Sequence, residues 1–117
     1  MATIERCVTP GGILSVRLAD NLVTRGLGLL VGRPLTAGEG LLIAPCASIH
    51  TLGMRYAIDV VFVDRTAHVL RVYPDVRAGR VRIARGARGA LELRSGVAAQ
   101  HGLAYGVRLQ ELGAALA

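Results

Sequence analysis

Lysine and tryptophan are absent from this sequence, and aromatic residues are scarce: one Phe and three Tyr in 117 residues. The shortage of aromatics weighs against single-strand nucleic-acid binding, which needs flat faces on which bases stack. No uncharged run reaches the ~18–20 residues that span a bilayer, so membrane insertion is not expected. The first nine residues carry Glu5 and Arg6 and no apolar run, which is not the pattern of a secretory leader. The expected location is cytoplasmic. Two cysteines, Cys7 and Cys46, permit at most one disulfide, and without an export signal two free thiols are the expectation.

What is present is apolar and basic. Hydrophobic residues make up 52% of the chain and charged residues 19%, the balance of a globular domain. At this length, residues 1–117 form one domain, since two halves would each be too small to bury a stable core. The net charge of +6 comes from arginine alone, a bias that a GC-rich coding sequence produces as readily as phosphate recognition. The excess is local: Arg77, Arg80, Arg82, Arg85 and Arg88 fall between Asp75 and Glu92 with no acid among them. Such a strip attracts nucleic acid or another anionic surface. With no aromatic residue inside it, a charged strand edge that discourages sheet-to-sheet pairing is the simpler reading.

Periodicity predicts mostly strands. "ILSVRLA" sets Ile13, Ser15 and Arg17 against Leu14, Val16 and Leu18, a half-buried strand. "LVTRGLGLLVG" has apolar residues near helical spacing after Asp20 or Asn21, with Gly26 and Gly28 weakening the helix by about 1 kcal/mol each. "LLIAPC" reads as a strand, and "YAIDVVFVD" with "HVLRVYPD" reads as a hairpin joined through Asp64–Ala67. Short strands fit "RVRIA" and "GALELR". A brief helix fits "SGVAAQHG", capped by Ser95 and closed by Gly102, and "GVRLQEL" reads as a last strand. The fold class that results is mainly β: a compact small β-barrel or β-sandwich of about six or seven short strands with one or two short helices.

The polar stretch "CASIHTLGMRYAIDVVFVD", residues 46–64, is where chemistry would reside. Asp59 shares a strand face with Val61 and Val63, where an unpartnered carboxylate is costly. His50, Thr51 and Arg55 are its nearest candidate partners across the Gly53 turn. Alternatively, Asp59 clamps that turn by accepting backbone N–H groups. Cys46 and His50 invite a thiolate and imidazole dyad, but on an extended strand they stand about 13 Å apart. Metal binding lacks a second close ligand pair beside Cys46 and His50, because Cys7, His68 and His101 are scattered. No metal or other cofactor is expected, and Gly38-Glu39-Gly40 lacks the lysine and the strand-to-helix context of a phosphate loop.

Taken together, "TRGLGLLVGRPLTAGEGLLIAPCASIHTLGMRYAIDVVFVD", "HVLRVYPDVRAGR" and "ALELRSGVAAQHGLAYGVRL" resemble the bacterial and archaeal family known as domain of unknown function 192, over about residues 20–112. The motifs are Gly38–Gly40, Ser48, His50, Thr51 and Met54, the Ile58–Asp64 strand, and the Leu91–Gly96 step. The resemblance implies a compact, mainly β single domain and supplies no activity. Many relatives carry an export or lipoprotein leader. Here Val31-Gly32-Arg33 stands where Met-Gly-Arg is common, and Ala67 where the hairpin turn usually has Gly.

The function expected from the residues is a non-catalytic module that binds a small molecule, a peptide or a protein. Its polar rim would be Ser48, His50, Thr51, Met54 and Arg55, oriented by Asp59. The alternatives are a small enzyme using Cys46 or His50 with Asp59 for acyl or thiol chemistry, and nucleic-acid binding through the Arg77–Arg88 strip.

Overall fold

The computed structural model describes residues 4–19 and 34–117. The helix expected over residues 22–32 lies outside them. The described residues form eight strands: β1 (Ile4–Thr9), β2 (Gly12–Leu18), β3 (Glu39–Ile43), β4 (Ser48–His50), β5 (Ile58–Val63), β6 (Val69–Val76), β7 (Val81–Ile83) and β8 (Gly89–Arg94). Two one-turn helices follow, α1 (Val97–Gln100) and α2 (Gly113–Leu116). Six strands make one open sheet in the order β1-β2-β3-β8-β5-β6, and β4 and β7 make a separate two-stranded ribbon. The mainly β class holds, with a sheet that does not close into a barrel.

The hairpins follow their sequence signals. β5 pairs antiparallel with β6 through a turn built on Asp64, whose Oδ1 accepts the Thr66 and His68 N–H groups and the Thr66 hydroxyl. Ala67 takes a left-handed φ of 65° there, the conformation glycine supplies without strain. β2 alternates as its pattern requires, with Leu14 and Val16 buried and Ile13 and Ser15 exposed. β1 had no separate signal in the sequence, and it pairs with β2 over its full length.

Both faces of the sheet are covered. Leu42, Val61, Val63, Leu91 and Leu93 pack on one side with α1, Leu109, Leu112 and Leu116. Leu41, Ile43, Ile58, Val60, Phe62 and Ala90 pack on the other with Ile49 of the ribbon. All six residues of β5 are buried, as expected of a strand sandwiched between two layers. Residues 106–112 differ from the expected strand: they make isolated bridges, Arg108 with His68 and Gln110 with Val8, and then turn into α2. No helix among the described residues is long and apolar enough to cross a membrane.

Candidate functional site

Asp59 determines how the 46–59 stretch divides. Its carboxylate is buried and accepts three backbone N–H groups, from Asp75 at 2.9 Å, Gly96 at 3.0 Å and Ala98 at 2.9 Å. It therefore satisfies the first turn of α1 from a neighbouring strand, in the way a capping side chain does. The cap residue is Gly96, at φ 93° with no side-chain cap, and not Ser95, whose hydroxyl turns to Asp75 at 2.7 Å. The backbone clamp anticipated for Asp59 exists, but it grips the β8–α1 step and the end of β6 instead of the Gly53 turn. His50, Thr51 and Arg55 make no hydrogen bond to it.

Thr51 is the pin of the ribbon. Its hydroxyl donates to the Arg77 carbonyl at 2.6 Å and accepts from the Arg80 N–H at 2.9 Å. Its N–H donates to the Arg80 carbonyl and its own carbonyl accepts from Gly79 N–H. One buried threonine thus fixes the turn that feeds β7. The Cys46 thiol donates to the Ser48 carbonyl at 3.0 Å, and Cys46 and Met54 pack on the cluster around Ile49. Asp59 shares the opposite sheet face with Val61, so the structure does not assemble Cys46, His50 and Asp59 into one centre. Among the described residues no group of three or more His, Cys, Asp or Glu converges as metal ligands.

Ser48 and His50 remain as the exposed polar residues of β4. They stand opposite Ile83 and Val81 of β7, with Ile49 opposite Arg82. Ile49 points inward and is buried, whereas Val81 is 60% exposed, Ile83 57% and the adjacent Leu52 59%. The ribbon therefore shows solvent a face of Ser48, His50, Val81 and Ile83. The Tyr73 hydroxyl holds this face in place by donating to the Ile83 carbonyl at 2.8 Å. The Arg71 and Arg82 guanidiniums lie 4.6 Å and 5.5 Å from the Tyr73 ring centre, the range of cation–π attraction.

Two further polar residues escaped the sequence reading. Glu92 is buried, and burial pushes its carboxyl up to about 7. The Tyr56 hydroxyl is buried, with the Leu35 backbone beside it. Its pKa is raised by burial first and by nearby Glu92 second, against smaller opposing effects from the Leu35 backbone and Arg17. Neither could be found from periodicity. In "GALELR" Glu92 alternates with Leu91 and Leu93, as a solvent-facing residue does on a sheet covered on one side only.

The fold is shared with a candidate transcription regulator from Sinorhizobium meliloti 1021, 21% identical, with a TM-score of 0.82 over 96% of this chain and 96% of that one. It is also similar to a protein of unknown function from Novosphingobium aromaticivorans DSM 12444, 19% identical, with a TM-score of 0.79 over 93% of this chain and 84% of that one. At such identities the likeness concerns architecture alone. No curated protein matches significantly. The family model DUF192, described as "Uncharacterized ACR", matches residues 6–111. The Gly-Glu-Gly loop that opens β3, the buried Ile58–Val63 strand and the Leu91–Gly96 step all fall within that match, and the chain belongs to the domain of unknown function 192 family.

Proposed function

We propose that this domain is a non-catalytic binding module that uses the outer face of the β4–β7 ribbon to hold an acidic protein segment carrying apolar residues. The observation that carries this reading is the exposure of Val81, Ile83 and Leu52 together, beside Ser48 and His50. Large apolar side chains clustered on a stiff ribbon are a common mark of an interaction surface. Charge selects the partner: Arg77, Arg80 and Arg85 flank β7 with no acid between them. Acidic residues on the partner would meet these guanidiniums at the rim, while apolar ones cover Val81 and Ile83. A catalytic reading draws no support from the site, since Asp59 is committed to backbone N–H groups on the other side of the sheet.

The test is a displayed panel of peptides mixing acidic and apolar residues, selected against the protein and against a Val81→Asp/Ile83→Asp variant. Enrichment that vanishes in the variant, with an unchanged unfolding midpoint, is the expected result. Failure to enrich any such peptide, or equal enrichment on both proteins, contradicts it. Retention of DNA or RNA whose affinity falls steeply with salt would instead assign the arginine strip to phosphates.

A further inference from the structure

The ribbon has two backbone edges, and its hydrogen-bond pattern sets which groups each one presents. The Thr51 N–H donates to the Arg80 carbonyl and the Ala84 N–H to the Ala47 carbonyl, with Ile49 opposite Arg82 midway between them. Bonded and non-bonded pairs alternate along an antiparallel ladder. Ser48 and His50 on β4, and Val81 and Ile83 on β7, therefore turn their N–H and C=O groups away from the other strand. Side-chain contacts agree with this phase. The Tyr73 hydroxyl reaches the Ile83 carbonyl at 2.8 Å, the Arg82 guanidinium the Val81 carbonyl at 2.9 Å, and the Cys46 thiol the Ser48 carbonyl at 3.0 Å.

The two edges differ in what they leave open. Along β7 both outward carbonyls are occupied, one of them by Tyr73 of β6. β4 pairs with β7 alone. On its outer edge the His50 N–H and C=O and the Ser48 N–H make no hydrogen bond among the described residues, and both residues are exposed. An unpaired strand edge is a template for another extended chain. We infer that the partner of the ribbon adds to the free edge of β4 as a third strand, hydrogen-bonded through the His50 backbone. The inference rests on the binding role proposed above and names the way in which the partner is held.

The surroundings of the edge select an extended segment that mixes acidic with long apolar residues. Main-chain hydrogen bonds give affinity for any extended chain, and the side chains beside the edge choose among them. On the solvent-facing side Ser48 stands between the added strand and Ile83. Because serine is small, a long apolar side chain on the partner reaches over it to Ile83. Leu52, 59% exposed, extends the apolar surface beyond the end of β4. Arg77, Arg80 and Arg85 on either side of β7 surround the site with positive charge. A second copy of this chain would bring the same basic ribbon and set like charge against like, so the occupant is a different, acidic chain.

The probe is an acetylated, amidated peptide of alternating glutamate and leucine, with a series of versions N-methylated at one residue at a time. Only alternate N–H groups of an added strand point at β4. N-methylation at those positions should weaken binding about tenfold, the loss of one hydrogen bond, and at the intervening positions hardly at all. The His50 amide should exchange more slowly in the complex. His50→Ala, which keeps the backbone, should bind the peptide. His50→Pro removes an N–H that lies outside the ribbon ladder; it should lose binding while its unfolding midpoint stays near that of His50→Ala. Binding that shifts the Val81 and Ile83 amides but ignores N-methylation would overturn the added strand and leave the ribbon face as the site, whereas no saturable binding would overturn both. Protection of the His50 amide that grows with protein concentration in the absence of peptide would assign the edge to a second copy and overturn the inference as well.

Discussion

The Asp59 carboxylate joins the end of β6 to the start of α1 with three backbone hydrogen bonds. Removing it leaves three N–H groups short of an acceptor, so Asp59→Ala should cost roughly 3–5 kcal/mol. Asp59→Asn keeps one carbonyl acceptor and should cost less. Asp64 also accepts three hydrogen bonds, but in a solvent-facing turn where water replaces them; Asp64→Ala should cost about 1 kcal/mol. Denaturant midpoints of the three variants check the order, and equal midpoints for the two alanine variants would contradict it. Cys7 is fully buried, and desolvation with help from Glu111 pushes its thiol up to about 11. Alkylation at neutral pH should therefore leave Cys7 untouched until the protein unfolds. At this scale the sequence showed that Asp59 is buried on an apolar strand. Its partners were hidden because they are backbone groups sixteen and more residues downstream.

Thr51 shows how a short element depends on one side chain. β4 and β7 are three residues each, and their connection is held by four hydrogen bonds through Thr51. Thr51→Val preserves shape and removes two of these, leaving Arg80 N–H without its acceptor. It should cost about 1–3 kcal/mol and speed amide exchange at Gly79 and Arg80 while β5 and β8 stay protected. Uniform acceleration across the sheet would show that the ribbon is not a separate unit. β2, β5, β6 and β8 were legible as strands from clean alternation or dense β-branched content, although the burial of Glu92 in β8 departs from what its alternation predicts. β1 was not, since Cys7 and Thr9 among charged neighbours give no recognisable period. Residues 106–112 misled in the other direction: the alternation of Val107 and Leu109 is real, but only single bridges form around them. The displacement of the helix cap from Ser95 to Gly96 has the same origin, for Asp59 supplies from another strand what Ser95 would have supplied locally.

The whole molecule is a sheet covered on both faces, and that arrangement buries Glu92. Its proton is held more tightly in the folded chain, about 7 against 4.5, so its contribution to stability is fully present below about pH 4.5. That contribution is lost as pH rises through about 7, in total on the order of 3 kcal/mol. Asp64 acts with the opposite sign. Burial alone would raise its pKa, but hydrogen bonds from His68 and Thr66 outweigh that and hold it below the usual value, so its stabilisation is lost as pH falls through that lowered value. Glu92→Gln should flatten the loss of stability between about pH 5 and 7, and a wild-type slope in that variant would contradict the assignment. The fold class could be read from the chain, and the family resemblance from its motifs. Of the residues expected at a site, Ser48 and His50 face solvent, Thr51 and Asp59 are buried with their side chains bonded to backbone groups, and the position of Val81 and Ile83 beside Ser48 and His50 became visible only once β4 and β7 paired. The net charge of +6 makes salt a useful discriminator, because a rim of guanidiniums around an apolar centre loses affinity only modestly with salt, unlike phosphate binding. The most direct measurement is amide chemical-shift mapping with the best acidic, apolar peptide from the display panel, at low and at moderate salt. The account predicts shifts confined to residues 48–52 and 77–85 that persist as salt rises. Shifts centred elsewhere, or binding abolished by moderate salt, would contradict it.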